Sequence, residues 1–304
     1  MTITIYFDDP HKMGYPFNNA KYYESYKAFA SLCRSKDIEL YFARGKDSYN
    51  DDMKFNNGFY FKNDELTYRS TPYKTDRVFL KGHDVSFDEN DSVLNSPTLS
   101  NICYDKLETY QQFKKYMAPT YQFNVSNYEN VFDKINSDKI VLKPQVGSEG
   151  KGIIVTDKKN FDLSVVDLTK PYFVQEFLDS SDGINGLVKG LHDLRLILFN
   201  GIVKSSYIRQ PKKGSYLANV AQGGSLLFVP VDKLPTSALA LAEKIDQKFA
   251  EYSPRLYAID LLYQGETPYL IELNDQPGMP YMEENQYENS ADEFHKDLLT
   301  ILTN

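Results

Sequence analysis

An α/β fold of two or three packed units is expected from this sequence. Strand-like and helix-like segments alternate through the first hundred residues, a glycine-rich loop joins two apolar segments within 140–155, and a hairpin pattern occupies 256–274. At 304 residues and 35.0 kDa the chain can bury a sizeable core. Hydrophobic residues at 41% and charged residues at 25% are those of a globular protein, and no internal repeat or low-complexity tract interrupts them. Disorder is therefore expected only in loops.

The first residues, Met1-Thr-Ile-Thr-Ile-Tyr-Phe, lack a basic stretch followed by an apolar core, so residues 3–7 read as a strand and not as a secretion signal. Tyr22, Tyr26, Phe29, Ala30 and Cys33 recur at helical spacing and predict a helix near 19–35 that buries them. Strands are expected at 38–43 and 77–80. Between them, residues 45–74 are polar and Asn/Asp-rich with scattered aromatics, which fits a surface hairpin or an excursion over a substrate pocket. Asn95-Ser96-Pro97 reads as a turn before a helix carrying Lys106, Leu107, Tyr110 and Phe113. A domain boundary is placed there, leaving residues 1–100 as an N-terminal α/β domain. Farther on, Ala238, Leu241, Ala242, Ile245 and Phe249 lie at helical spacing behind Pro235, as in a helix with one face on a sheet.

Two segments bear on chemistry. In Ile140-Val-Leu-Lys-Pro-Gln-Val-Gly-Ser-Glu-Gly-Lys-Gly, glycines at 147, 150 and 152 let backbone N–H groups approach phosphate oxygens, and Lys143 ends the first strand with a point charge. This loop has neither a P-loop ending nor dinucleotide-fold spacing, and glycine-rich connections are commonly plain turns. In the hairpin, apolar segments 256–263 and 269–274 flank a loop at 264–268, so Asp260 falls opposite Glu272 and alternation sends Asn274 to the same face. Like charges facing across a ladder are destabilising, so a positive group is expected between them. Oxygen ligands of this type suit magnesium, which takes one or two carboxylates with water and substrate phosphates. A slipped register, with one carboxylate in solvent, is the alternative.

Composition narrows the function. A net charge of −8 and a pI near 5.2 argue against binding a nucleic-acid backbone, which is held by Lys and Arg. No run approaches membrane-spanning length, so no membrane partner is expected. Cys33 and Cys103 lack metal-like spacing and read as buried thiols of a reducing cytoplasm. His11, His83, His192 and His295 are scattered, against a zinc site or a Ser-His-Asp triad.

The order of motifs is more specific than any one of them. Lys106, the Lys143-Pro144 glycine loop, Gln175-Glu176-Phe177-Leu178, Asp193-Leu194-Arg195, Asp260 and Glu272-Leu273-Asn274 occur in series. With Asp9-Pro10, Lys81 and Asp84, 93–97, and Arg209-Gln-Pro leading to Asn219 and Gly223-Gly224, the chain resembles the ATP-grasp superfamily along nearly its whole length. Within it, the chain is similar to bacterial glutathione synthetases and related ligases that append amino acids to carboxylates. The resemblance implies an N-terminal substrate domain, an ATP-grasp lobe at 101–175 holding the glycine loop, and a second lobe at 176–304 holding the metal site.

By that resemblance Lys106 and Lys143 hold ATP phosphates, and the loop with Gly147, Ser148, Gly150 and Gly152 closes over them. The backbone of Gln175, Glu176, Phe177 and Leu178 reads adenine, Asp193 and Asn219 lie near the nucleotide, and Asp260, Glu272 and Asn274 map onto ligands of magnesium. Two ions are implied, with manganese as a substitute; paired ions sit roughly 3.5–4 Å apart in such sites. The implied reaction joins a small carboxylate to an amine, an amino acid or peptide, through an acyl phosphate, with Arg195 and Arg209 offsetting developing charge. Glycines within 212–224 suggest a lid that keeps water from the acyl phosphate. A homo-oligomer is allowed by the same resemblance.

Some positions depart from the pattern. Asp275-Gln276-Pro277-Gly278 replaces the small hydroxyl residues of glutathione synthetases and looks more like ligases that add glutamate to a protein or carrier terminus. Lys81 stands where Arg is usual and lacks its bidentate fork, and 179–190 is long enough to leave the ribose contact open. Two other functions stay open: an ATP-grasp phosphotransferase, and a non-catalytic ATP-binding module.

Overall fold

The computed structural model describes all residues except 89, 148–149, 219–222 and 283–287. Its first unit is built on β1 (Thr2–Phe7), helix α1 (Ala20–Arg34) and β2 (Glu39–Arg44). Short strands β3 (Tyr49–Asp51), β4 (Lys54–Phe55), β5 (Gly58–Lys62), β6 (Glu65–Arg69) and β7 (Tyr73–Lys74) follow, then β8 (Arg77–Lys81) and β9 (Val93–Leu94). The main sheet runs β6-β5-β2-β1-β8-β9, with β1 parallel to both β2 and β8. Residues 45–74 thus resolve into the β5–β6 hairpin, which extends this sheet, and a small β3-β4-β7 sheet.

Helix α1 begins where Asn19 accepts from the backbone N–H of Lys21 and Tyr22, the capping that Asn side chains supply. It buries Tyr26, Phe29, Ala30 and Cys33 in the expected stripe. The stretch read as a single helix is two, α2 (Pro97–Tyr104) and α3 (Lys106–Phe113). Asp105 breaks them with extended dihedrals, and its side chain caps α3.

A second, antiparallel sheet has the order β10-β13-β11-β12, formed by β10 (Thr120–Gln122), β11 (Lys139–Pro144), β12 (Ile154–Asp157) and β13 (Tyr172–Glu176), with helix α4 (Tyr128–Phe132) between β10 and β11. The third sheet, also antiparallel, is ordered β16-β15-β14-β17-β18. Its strands are β14 (Asp193–Phe199), β15 (Ile202–Gln210), β16 (Ser225–Phe228), β17 (Leu256–Gln264) and β18 (Thr267–Asn274). Helix α5 (Thr236–Asp246) buries Ala238, Leu241, Ala242 and Ile245 in the core of this sheet. The last helix, α6 (Glu288–Thr303), returns to the first unit, where Phe294, Leu298 and Leu302 join Ile3, Phe29 and Phe42 in one core. No helix among the described residues is long and apolar enough to cross a membrane.

Candidate functional site

An open cleft of about 840 Å³, counting the space open to solvent at its mouth, lies between the second and third sheets. Strand alternation supplies its floor. Val141 and Lys143 project from β11, and Asp260 and Leu262 from β17. Ile153, Val155, Ile271 and Leu262 give apolar walls, while Lys106, Lys143, Asp193, Arg209, Asp260 and Glu272 bring charge into the same space.

The two lysines arrive by different routes. Lys106 opens α3 beside the Asp105 cap, and the helix start is tied to the end of β11: Lys106 N–H donates to the Gln145 carbonyl at 3.0 Å, and Gln145 Nε2 donates to Asp105 Oδ2 at 2.6 Å. Lys106 Nζ then donates to the Gly147 carbonyl and stands 3.2 Å from Glu272 Oε1. Lys143 Nζ donates to Gln175 Oε1 at 2.8 Å, and Gln175 Nε2 donates to Thr120 Oγ1. Burial draws the Lys143 ammonium down to about 8, with Glu272 pulling upward and Lys106 downward.

A buried ion network crosses the third sheet. Arg209 pairs with Asp193 across β15 and β14, Arg195 with Asp260 across β14 and β17, and Asp260 lies opposite Glu272 on β18. Arg195 Nε and Nη2 donate to the two oxygens of Asp260 at 2.6 Å each. Arg209 Nη2 donates to Asp260 Oδ2 at 2.8 Å and to Asp193 Oδ2, with Nε on Asp193 Oδ1. Burial alone would raise the Asp260 carboxyl, but Arg195 and Arg209 overcome it and hold it at about 2. The positive charge expected between the hairpin carboxylates is therefore present in the protein: arginines on Asp260 and Lys106 on Glu272.

Not every expected position faces the cleft. Arg195 is turned to Asp260 and is not among the cleft-lining residues, whereas Arg209 is. Asn274 is two residues beyond Glu272, outside the lining, and its Oδ1 accepts the Gln276 N–H at 2.8 Å. Gln175, Glu176, Phe177 and Leu178 all line the cleft. The Glu176 side chain, however, is turned to the Asn136 backbone N–H at 3.0 Å, and the Phe177 N–H donates to Ser137 Oγ. Gly150 and Gly152 have φ of +72° and +77° in the β11–β12 loop, a region that favours glycine. Ser148 and Asn219 lie outside the described residues; the flanking Tyr216, Leu217 and Ala218 line the cleft, with Tyr216 edge-on to Phe177 at 5.3 Å.

His192, expected only as one of four scattered histidines, is a cleft-lining residue. Its Nδ1 donates to the Gly190 carbonyl and its Nε2 accepts the Tyr263 N–H; burial lowers its pKa, so it stands neutral beside Asp193. The apolar walls were passed over, although two-residue spacing from Lys143 to Val141 and from Asp260 to Leu262 marks part of them.

The donor set suits a hard divalent cation. No group of three or more His, Cys, Asp or Glu able to hold a metal gathers among the described residues, so a cation here would rest on Asp260 and Glu272, joined by Asn274 only through the lone pair that its Oδ1 keeps beside the Gln276 N–H. Glu272 keeps Oε2 beyond its contact with Lys106, and Asp260 Oδ1 accepts one bond from Arg195 and retains a lone pair. Magnesium completes such a shell with water and phosphate oxygens.

Comparison with known proteins agrees with this architecture. Residues 104–297 match the model of the RimK-like ATP-grasp domain. A probable alpha-L-glutamate ligase of Maridesulfovibrio salexigens is 26% identical over 159 residues, 51% of this chain and 48% of that protein. The chain thus spans about half the length of the curated relatives it matches. In fold it is similar to D-alanine–D-alanine ligase from Bacillus anthracis complexed with ATP, at a TM-score of 0.62 and 13% identity over 100% of this chain and 96% of that one. It is likewise similar to a RimK domain ATP-grasp protein from Sphaerobacter thermophilus, with a TM-score of 0.58 and 10% identity over 100% of both chains. Two antiparallel sheets enclosing a cleft, with the family match running across both, make this chain a member of the RimK-like ATP-grasp family.

Proposed function

We propose that the chain is an ATP-dependent carboxylate–amine ligase, with ATP bound in the cleft between the second and third sheets. The observation that carries this reading is the convergence of Lys106, Lys143, Asp260 and Glu272 on one cleft with apolar walls. Val141, Ile153, Val155, Leu262 and Ile271 would sandwich adenine beside 175–178, and Lys106 and Lys143 would take the phosphates. The Lys106 contacts with Gly147 and Glu272 would then be exchanged for phosphate oxygens.

Asp260, Glu272 and Asn274 would hold magnesium, which when bound supplies positive charge to the phosphate oxygens. Arg209, at the cleft floor, would offset charge on the transferring phosphoryl group. Arg195 would act by holding Asp260 in place. A substrate carboxylate oxygen bonds to the γ-phosphorus as the bond to the β-phosphate oxygen breaks, releasing ADP. An amine nitrogen then attacks the acyl carbon, the carbon–oxygen bond to phosphate breaks, and the nitrogen loses a proton. Amide and phosphate result, with no covalent enzyme intermediate.

The names of the relatives, probable alpha-L-glutamate ligases, support an amino acid as one substrate. The test is ADP release measured with carboxylate and amine supplied separately and together. Dependence on both is expected; ADP release with a stable phosphorylated product and no amine would instead mark a phosphotransferase.

A further inference from the structure

A second cavity lies apart from the cleft and shares none of its lining residues. Phe7, Tyr15, Tyr22, Tyr26, Lys81 and Gly278 are among the residues that line it, with about 330 Å³ counting the space open to solvent at its mouth. Its base is the carboxyl end of the parallel strands of the first sheet, the place where open α/β sheets receive ligands. Its other wall, from Gln276 to Met279, begins two residues after Asn274. Through that loop the cavity adjoins the end of β18, which carries Glu272.

One row of three residues sets the electrostatics. Phe7 on β1 is in register with Arg44 on β2 and with Lys81 on β8, so both cations flank one aromatic ring on the same face. Lys81 Nζ donates to the Pro277 carbonyl, a neutral partner, and lies 4.6 Å from the centre of the Phe79 ring. Asp275, the acid whose field it feels, makes no ion pair with it among the described contacts. Arg44 is 4% exposed, and its Nε and Nη1 have no hydrogen-bond partner among the described residues. Its Nη2 donates to the Tyr15 carbonyl at 3.0 Å, and Asp9 stands 3.7 Å away. A cation shielded from water without an acidic partner is costly; the half-buried Lys81 ammonium is accordingly lowered to about 7.

We propose that this cavity binds the amine substrate of the ligation as an amino acid with an apolar or aromatic side chain, its carboxylate on Lys81 and its side chain among Tyr15, Tyr22 and Tyr26. The inference rests on the ligase reading above and deepens it. Lys81 is outside the ATP cleft, so a carboxylate held there is an anchor and not the group that attacks phosphorus; the amine is the end left to react. Arg44, the second cation of the row, does not line the cavity and is packed over the Phe7 and Phe17 rings, so the phenol and phenyl walls give a second carboxylate, such as that of glutamate, no counter-charge at the cavity surface. Apolar side chains therefore gain from burial where an acidic one loses its hydration.

The test is calorimetric binding to the full chain with a non-hydrolysable ATP analogue and magnesium present, the analogue itself being titrated first. L-Phenylalanine should bind, L-glutamate at least tenfold more weakly, and L-phenylalaninol, which lacks the carboxylate, more weakly as well. Lys81→Met should lower phenylalanine affinity by roughly thirtyfold or more, the effect of removing one partner of a buried charge pair, without changing analogue affinity. Gly278→Ala, whose added Cβ would stand 2.8 Å from Tyr22 Oη, should weaken phenylalanine through crowding alone. Glutamate binding as tightly as phenylalanine, an unaffected Lys81→Met, or no amino-acid binding beside normal analogue binding would each overturn the inference. Loss of analogue binding in the wild type would instead overturn the ATP-site reading, which separates the two failures.

Discussion

Arg195 grips both oxygens of Asp260, Nε on Oδ1 and Nη2 on Oδ2, each at 2.6 Å, and so clamps β14 to β17 at the floor of the cleft. Arg209 adds a third charge-assisted bond at 2.8 Å. Asp260 is thus a structural anion as well as a proposed metal ligand, whereas Glu272 forms an ion pair with Lys106 alone among the described residues and has a side chain 28% exposed. Asp260→Asn should destabilise the fold by roughly 3–5 kcal/mol, because the buried Arg195 loses its charge partner and Arg209 keeps only Asp193. Glu272→Gln should cost under about 1 kcal/mol yet abolish turnover. Urea denaturation of both variants alongside ADP release checks the contrast; wild-type turnover in Glu272→Gln would remove it from the metal site.

Lys143, proposed to hold an ATP phosphate, should make nucleotide binding sensitive to alkali. Burial brings its ammonium to about 8, so the empty cleft loses this charge as pH rises through that value. ATP affinity should fall between about pH 8 and 10, where the triphosphate is already fully ionised. Lys143→Arg keeps its charge throughout that range and should flatten the profile, while Lys143→Ala should weaken binding at every pH. Titration calorimetry of ATP across this range is the measurement.

Acid stability should depend on His295, which joins α6 to α1. Its Nε2 lies 3.1 Å from Ser25 Oγ, and its ring packs on Phe29. Burial lowers its pKa to about 4, with Asp292 opposing, against about 6.5 in an unfolded chain. Because the folded value is depressed, the neutral imidazole stabilises fully above about pH 6.5, and that contribution is lost as pH falls toward 4. The loss amounts to roughly 3 kcal/mol. His295→Gln should remove most of this slope in denaturation curves recorded at pH 7, 5.5 and 4.

The Asp260–Glu272 pairing was readable because strand alternation and turn chemistry are local. Even so, the turn is shorter than its Gln-Gly-Glu-Thr-Pro sequence suggests. Pro268 sits inside β18, tolerated because that strand is an edge of its sheet. The break at Asp105 was hidden, since helical periodicity continues across it while the capping side chain sets the backbone. The arginines that neutralise Asp260 lie 51 and 65 residues away in sequence, and only sheet topology brings them together. The apolar walls of the cleft have the same composition as any buried strand; only the two-residue spacing from Lys143 and Asp260 puts Val141 and Leu262 on the cleft face, and Ile153, Val155 and Ile271 carried no such mark. The row of Arg44, Phe7 and Lys81 was likewise invisible until β2 and β8 were both parallel to β1.

The most direct measurement is ADP formation by the purified chain with ATP, Mg²⁺ and pooled carboxylates, with and without pooled amino acids, and with products followed by mass spectrometry. ADP release that requires the amine, together with a new mass equal to carboxylate plus amine minus water, is expected. ADP release without amine and with a stable phosphorylated product, or tight ATP binding with no turnover on any pool, would contradict the ligase assignment.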